Sequence, residues 1–229
     1  MGFDFETGEI ILIDKPFEWT SFDVVKKVRN TIRIKKVGHA GTLDPLATGL
    51  LVLCTGKMTK KIENIQADEK EYTGELILGG TTPSYDLETA IVPTLNTGID
   101  PPSINQISAA AKLFTGTIQQ VPPVYSAIQV NGERLYKKAR KGETVEIQAR
   151  QVHVKEFEIA SFTFPKVEFR IVCSKGTYIR SLAHDLGQAL GTGAYLSVLR
   201  RTRIGDLSIE NAFQLTDFIE KVKEQQSNS

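Results

Sequence analysis

Gly38-His39-Ala40-Gly41-Thr42-Leu43-Asp44-Pro45-Leu46-Ala47-Thr48-Gly49 concentrates the least ordinary chemistry of this chain into one loop-like stretch. Glycines at 38, 41 and 49 permit sharp backbone turns and close approach of a ligand. Pro45 holds Asp44 in extended backbone and away from helix. A carboxylate held this way beside a basic helix is a candidate nucleophile or general base. It is equally a candidate cap for a turn or for the next element, and the stretch taken alone leaves both open. The spacing is not that of a P-loop, because no Gly-Lys-Ser/Thr follows at the required distance. His39 shares the loop, five positions before Asp44, where an imidazole can stack on a nucleobase or position one. His153 and His184 lie outside such a context and read as hydrogen-bonded structural residues.

Working outward, Glu9–Asp14 reads as a strand ended by Lys15-Pro16. Thr20-Ser21 offers an N-cap for a helix carrying Val24, Val25, Val28 and Ile32. Leu50–Cys54 is a buried strand, Thr59–Gln66 a short helix, and Tyr72–Leu78 an alternating strand. Residues 81–102 are mostly irregular, Ser103 caps a helix through Phe114, and Tyr125–Val130 enters a tight turn at Asn131-Gly132. Val167, Phe169, Ile171 and Cys173 alternate as a strand, Thr177–Leu190 is a helix, and Leu215–Glu224 closes the chain as another. Strands and helices mix without a regular βαβ repeat, which predicts an α+β domain rather than a doubly wound sheet.

The 229 residues are 41% apolar and 24% charged, a globular balance that argues against a mostly disordered chain. Two cysteines, Cys54 and Cys173, build no disulfide framework, and without a CxxC pair neither a zinc site nor a thioredoxin-type motif is expected. His184 beside Asp185 is too little for a metal site, so no metal is assigned. No apolar run is long enough to span a bilayer, and the acidic N-terminus lacks a signal-peptide pattern. A reducing cytoplasm is the expected compartment. The net charge of +1 says little, but its distribution says more. Residues 26–36 carry Lys26, Lys27, Arg29, Arg33, Lys35 and Lys36 with no acid, residues 131–155 are also rich in bases, and Arg200, Arg201 and Arg203 form a third cluster. Any one cluster suits a solvated face as well as a phosphate backbone; three of them flanking unusual motifs favour a nucleic-acid partner.

Ser174-Lys175-Gly176-Thr177-Tyr178-Ile179-Arg180-Ser181-Leu182 runs from a strand end through glycine into a helix, a junction where backbone donors face a crevice. Arg180 follows a residue of the buried stripe and can pair with a carboxylate there, or lie on the surface of an amphipathic helix. Tyr72 and Tyr178 read as core aromatics whose hydroxyls need partners. From Ile11 to about Phe213 the chain resembles the TruB family of bacterial tRNA pseudouridine synthases. The resemblance rests on Gly38–Leu50, on Lys70-Glu71-Tyr72, on Pro122–Ala127 with Asn131–Arg140, on Ser174–Arg180 and on Leu199-Arg200-Arg201, in that order.

This resemblance implies isomerisation of uridine-55, in the T-loop of tRNA, to pseudouridine. It implies a mixed, largely antiparallel sheet flanked by helices and loops, and places an RNA-gripping insertion at about residues 121–151. Asp44 falls on the family's nucleophilic aspartate, Arg180 on the arginine that pairs with it, and His39, Tyr72, Tyr178 and Leu199 on uridine-pocket positions. Tyr72 is also a candidate for assisting proton removal. Lys15, Arg134, Lys137, Lys138, Arg140 and Lys141 are candidate contacts to the RNA backbone. Uracil is detached from C1′ through N1 and rejoined through C5, without net oxidation, so no cofactor is expected. Only 16 residues follow Phe213, too few for the family's usual PUA domain. One catalytic domain over 1–229 is therefore expected, acting as a monomer on the T-arm without guide RNA. Gln129 stands where the family pattern would have lysine. A subunit of a guide-RNA particle and a non-catalytic tRNA chaperone are the competing expectations; joint retention of Asp44, Tyr72 and Arg180 weighs against the chaperone.

Overall fold

A computed structural model describes residues 2–94, 101–126, 129–130, 133–134 and 147–228. In chain order the strands are β1 (Ile10–Lys15), β2 (Val37–His39), β3 (Ala47–Thr55), β4 (Lys70–Leu78), β5 (Gly80–Thr81), β6 (Val92–Pro93) and β7 (Gly116–Gln120). They continue with β8 (Gln129–Val130), β9 (Glu133–Arg134), β10 (Arg150–Thr163), β11 (Lys166–Cys173), β12 (Ala194–Ile204), β13 (Leu207–Ser208) and β14 (Phe213–Gln214). The helices are α1 (Ser21–Ile32), α2 (Ile62–Ala67), α3 (Ile104–Lys112), α4 (Ile179–Ala189) and α5 (Leu215–Ser227). The chain divides into two compact units, one formed by Met1–Tyr72 with Leu199–Ser229, the other by Thr73–Val198.

In the first unit β1 pairs with β3 antiparallel, through Ile13↔Leu51, and with β14 in parallel, through Ile13↔Phe213. β3 pairs with β12 in parallel, through Leu199↔Ala47 and Arg201↔Gly49, and with β2 antiparallel. β3 is covered on both faces, which explains its unbroken apolar run. Leu51 and Leu53 pack with Val24, Val25, Val28 and Ile32 of α1 and with Leu215, Phe218 and Val222 of α5. Leu50, Val52 and Cys54 pack on the other side with Ala40, Ile65 and Ile204. α1 begins at a capping box: the Thr20 hydroxyl accepts from the Asp23 N–H at 3.0 Å, and the Asp23 carboxylate accepts from the Thr20 N–H at 3.0 Å. Its buried stripe leaves Lys26, Lys27 and Asn30 exposed.

In the second unit the strand order is β4-β11-β10-β7, with the β11/β10 and β10/β7 pairs antiparallel. Val152, Val154, Phe157, Val167, Phe169 and Ile171 are buried, and Phe157 meets Phe169 edge to face at 6.2 Å. Of the stripe Ile179, Leu182, Leu186 and Leu190 that the sequence predicts, α4 buries the first three, and Arg180 along with them, while Leu190 is its half-buried C-cap. The mixed, largely antiparallel pairing agrees with the α+β expectation. Asn131-Gly132, where the sequence predicts a tight turn, lies outside the described residues, as do Lys137, Lys138, Arg140 and Lys141; β8 and β9 pair antiparallel through Val130↔Glu133. Among the described residues no helix is long and apolar enough to cross a membrane.

Gly49 is where the first unit tolerates least change. Its φ is +100°, and a Cβ there would stand 2.3 Å from the Arg201 carbonyl oxygen and 2.7 Å from its nitrogen. Gly49→Ala combines left-handed strain with a backbone clash, so it should cost more than about 2 kcal/mol. Urea unfolding checks this: the midpoint should fall with an unchanged m-value.

Candidate active site

Asp44 is partly exposed in the loop joining β2 to β3. The loop's main chain is tied down by two fully buried cations, Lys15 and Arg201. Lys15 Nζ donates to the carbonyls of Pro16 at 2.8 Å, Trp19 at 2.6 Å and Pro45 at 3.2 Å. Arg201 donates from Nε to the Leu50 carbonyl at 2.8 Å, and through its terminal nitrogens to Gly41 at 3.0 Å and Thr42 at 3.5 Å. The Glu18 N–H donates to Pro45, and the Leu43 N–H to Ser21 Oγ, both at 2.9 Å. A buried charge is tolerable only where dipoles replace its water, and here carbonyls on both sides of Asp44 do so. The residue before and the residue after the aspartate are thereby fixed.

Burial pulls the Lys15 ammonium down to about 8, with Arg201 pushing the same way and the negative charges of Asp44, Asp14 and Asp23 opposing. His39, half-buried on β2 opposite Leu53, is held below its ordinary value by burial, with Arg201 adding and the Gly41 backbone opposing. Its ring is therefore neutral at pH 7. The parallel register sets Leu199 across from Ala47, three residues past Asp44, and the Thr48 hydroxyl reaches the Leu199 carbonyl at 3.5 Å. Tyr72 is nearly buried on β4, beside Glu71, whose carboxylate accepts from the Thr202 hydroxyl at 2.9 Å. His39, Asp44, Tyr72 and Leu199 thus all belong to the first unit.

Tyr178 and Arg180 belong to the second unit. Arg180 is 3% exposed, so it is no surface arginine. It donates to the carbonyls of Ser84 at 3.0 Å and Tyr125 at 2.9 Å, and its Nε stands 3.6 Å from Asp86 Oδ2. Asp86 is itself buried and accepts from the Glu88 N–H at 3.0 Å. Tyr178 caps α4, and the Arg150 guanidinium lies 4.6 Å above its ring. Among the described residues no group of three His, Cys, Asp or Glu could hold a metal ion.

Comparison with known proteins matches residues 29–179 to the N-terminal domain of the TruB family of pseudouridylate synthases and residues 180–229 to the tRNA pseudouridylate synthase B C-terminal domain. The chain belongs to the TruB family. A protein of Flavobacterium johnsoniae named tRNA pseudouridine synthase B is 51% identical over 225 residues, covering 94% of this chain and 96% of that one. One of Phocaeicola vulgatus with the same name is 48% identical, covering 97% of each. Among solved structures, a chain of a Cbf5-Nop10-Gar1 complex superposes with a TM-score of 0.73 at 31% identity, over 94% of this chain and 54% of that one. A chain of an H/ACA RNP bound to a substrate RNA containing 2′-deoxyuridine gives 0.73 at 28% identity, over 98% and 56%. This TruB-family chain spans about half the length of those two solved chains.

One expected role needs correction. Lys15 cannot serve as a contact to the RNA backbone, because it is 0% exposed and its ammonium is used by three carbonyls. The arginine cluster at 200–203 is likewise turned inward or paired: Arg200 grips Asp14 through two bonds of 3.0 and 2.6 Å, and Arg203 meets Glu69 at 2.9 Å. Asp86 escaped sequence reading, and Arg201 was noted without the role it has here. Arg201 was one charge among neighbours, and only the parallel β3/β12 register turns it toward the loop; Asp86 sits in a stretch with no periodic signal.

Lys15 gives a pH prediction. Between about 8 and 10.5 the unfolded chain keeps the Lys15 proton and the folded chain loses it, so this group makes stability rise with pH across that window. Lys15→Met should remove that slope and, by stranding carbonyls, destabilise by ~3 kcal/mol at neutral pH. Denaturant unfolding of both proteins at a series of pH values measures the two effects together.

Proposed function

We propose that the protein isomerises uridine-55 in the T-loop of tRNA to pseudouridine, acting alone, without guide RNA or cofactor. The observation that carries this reading is Asp44 itself: a partly exposed carboxylate in a main chain pinned by buried cations, within a family of pseudouridylate synthases. The relatives at about half identity and nearly full coverage are named for tRNA, which supports tRNA as the substrate.

In this reading the N1–C1′ bond of the target uridine breaks while Asp44 answers the electron demand at the sugar, as its nucleophile. The freed uracil turns within a wall made by Tyr72, Tyr178 and Leu199. C5 then bonds to C1′ as the Asp44 carboxylate leaves that carbon, the C5 proton goes to a base, and N1 ends protonated. Tyr72 is the candidate base. The base count and oxidation level are unchanged, so the chemistry calls for positioning and electrostatics. Arg180 serves as the cation partner of Asp44 and is held ready by Asp86 and two carbonyls. His39, neutral and flat, fills the place the flipped nucleotide vacates. Arg134, Lys137, Lys138, Arg140 and Lys141 supply phosphate contacts from the insertion, joined by the exposed lysines of α1.

Asp44→Asn keeps the shape and hydrogen bonding of the side chain but removes its charge. Pseudouridine formation on an unmodified tRNA transcript, mapped chemically, should fall below detection while RNA affinity stays within a few-fold. Turnover at the wild-type rate would remove Asp44 from the chemistry, and modification confined to another nucleotide would remove the T-loop assignment.

A further inference from the structure

Gln120, the last residue of β7, is 0% exposed. A buried amide must find partners for both its ends. Gln120 finds both on one residue: Oε1 accepts from the Tyr178 N–H at 2.8 Å, and Nε2 donates to the Tyr178 carbonyl at 3.0 Å. Tyr178 is the N-cap of α4 and its own side chain makes no capping bond, so this clamp orients the entry to the helix. Two further bonds join the segment after Gln120 to the same helical turn. Ser181 Oγ donates to the Val121 carbonyl at 2.8 Å, and Arg180 to the Tyr125 carbonyl at 2.9 Å.

The sheet supplies the other half of the grip. Gln120 is the cross-strand partner of Arg150 on β10, and paired residues of antiparallel strands project to the same face. Arg150 holds its guanidinium 4.6 Å above the Tyr178 ring. One rung of the sheet therefore holds Tyr178 by its peptide with one residue and by its ring with the other. A leucine of similar volume would fill the space of Gln120 with no polar group to satisfy, but it would leave the Tyr178 peptide without this two-point hold.

We infer that Gln120 is a positioning residue of the isomerising site: its amide fixes the Tyr178 peptide and so sets where the Tyr178 ring and the Arg180 guanidinium stand. The inference rests on the roles given to Tyr178 and Arg180 under the proposed function. Gln120 acts through these two residues and touches no reacting atom.

The test uses Gln120→Glu and Gln120→Met in the full chain, with Gln119→Glu, an exposed neighbour on β7, as the control. A neutral carboxyl offers one donor and one acceptor and reproduces the clamp; an ionised one cannot donate to the Tyr178 carbonyl. Burial and that carbonyl favour the neutral form, while Arg150 across the rung opposes it. Single-turnover rates at saturating enzyme on a tRNA transcript are read against wild type from about pH 8 down to about pH 5.5, with RNA affinity and melting temperature measured alongside. Gln120→Glu should lose roughly 10- to 100-fold in rate at the alkaline end and regain part of it, relative to wild type, as the pH falls. Gln120→Met should lose a similar factor at every pH, and Gln119→Glu should follow wild type. RNA affinity should stay within a few-fold in all three. The inference is overturned if Gln120→Glu keeps a constant ratio to wild type, if the loss lies in affinity or melting temperature with the rate intact, or if neither Gln120 variant folds, which would make the amide purely architectural. A wild-type chain that forms no pseudouridine would strike the proposed function instead.

Discussion

Two cations buried away from bulk solvent are the constraint on which the first unit is built. An isolated charge in a protein interior is costly, and Lys15 and Arg201 are made tolerable by main-chain carbonyls, several of them from the loop that carries Asp44. The dependence runs both ways. Without the loop the cations lose part of their solvation, and without the cations the loop loses its anchors at Gly41, Thr42 and Pro45. The nucleophile role proposed for Asp44 would benefit from backbone that cannot relax. The glycines of the loop serve this same end: at Gly49 the missing side chain lets β12 approach, bringing Arg201 in along the parallel register.

The second unit repeats the device with its own parts. Arg180 is buried and is answered by two carbonyls and by Asp86. An arginine with its counter-charge already at hand pays little reorganisation when a further anion has to be met, which suits a group whose suggested task is electrostatic. In both units, backbone oxygens take a large share of the holding.

Much of this was legible in the residues. The helix at 21–32 announced itself through Thr20 and its valine stripe, and β3 through an apolar run that only two-sided burial explains. The loop at 38–49 stood out by its glycines and its Asp-Pro pair. Other elements hid for physical reasons. β10 spans Arg150–Thr163, yet its pairing with β11 shifts register between Val154 and Glu156, so the buried positions step from Val154 to Phe157 and break the period of two. β12 hid behind Arg200, Arg201 and Arg203, which look like a solvated patch until Asp14, the loop carbonyls and Glu69 are seen to take them. Lys15 misled in the same way: charge in a sequence reports a need for partners, and only the fold says whether these are phosphates or peptides.

The order in which the chain threads its two units has a consequence for synthesis. The second unit, Thr73–Val198, is continuous, whereas the first is closed by Leu199–Ser229. As the polypeptide leaves the ribosome, the later unit has all its residues before the earlier one does. β12 from Leu199 onward, β14 and α5 arrive after the whole of the second unit, and with them Arg201 and the residues that cover α1. Until then the Asp44 loop has Lys15 but lacks the second cation that secures its far side. The nascent chain therefore carries Asp44 on a loop held from one side, and the loop gains its second anchor only once β12 has been made.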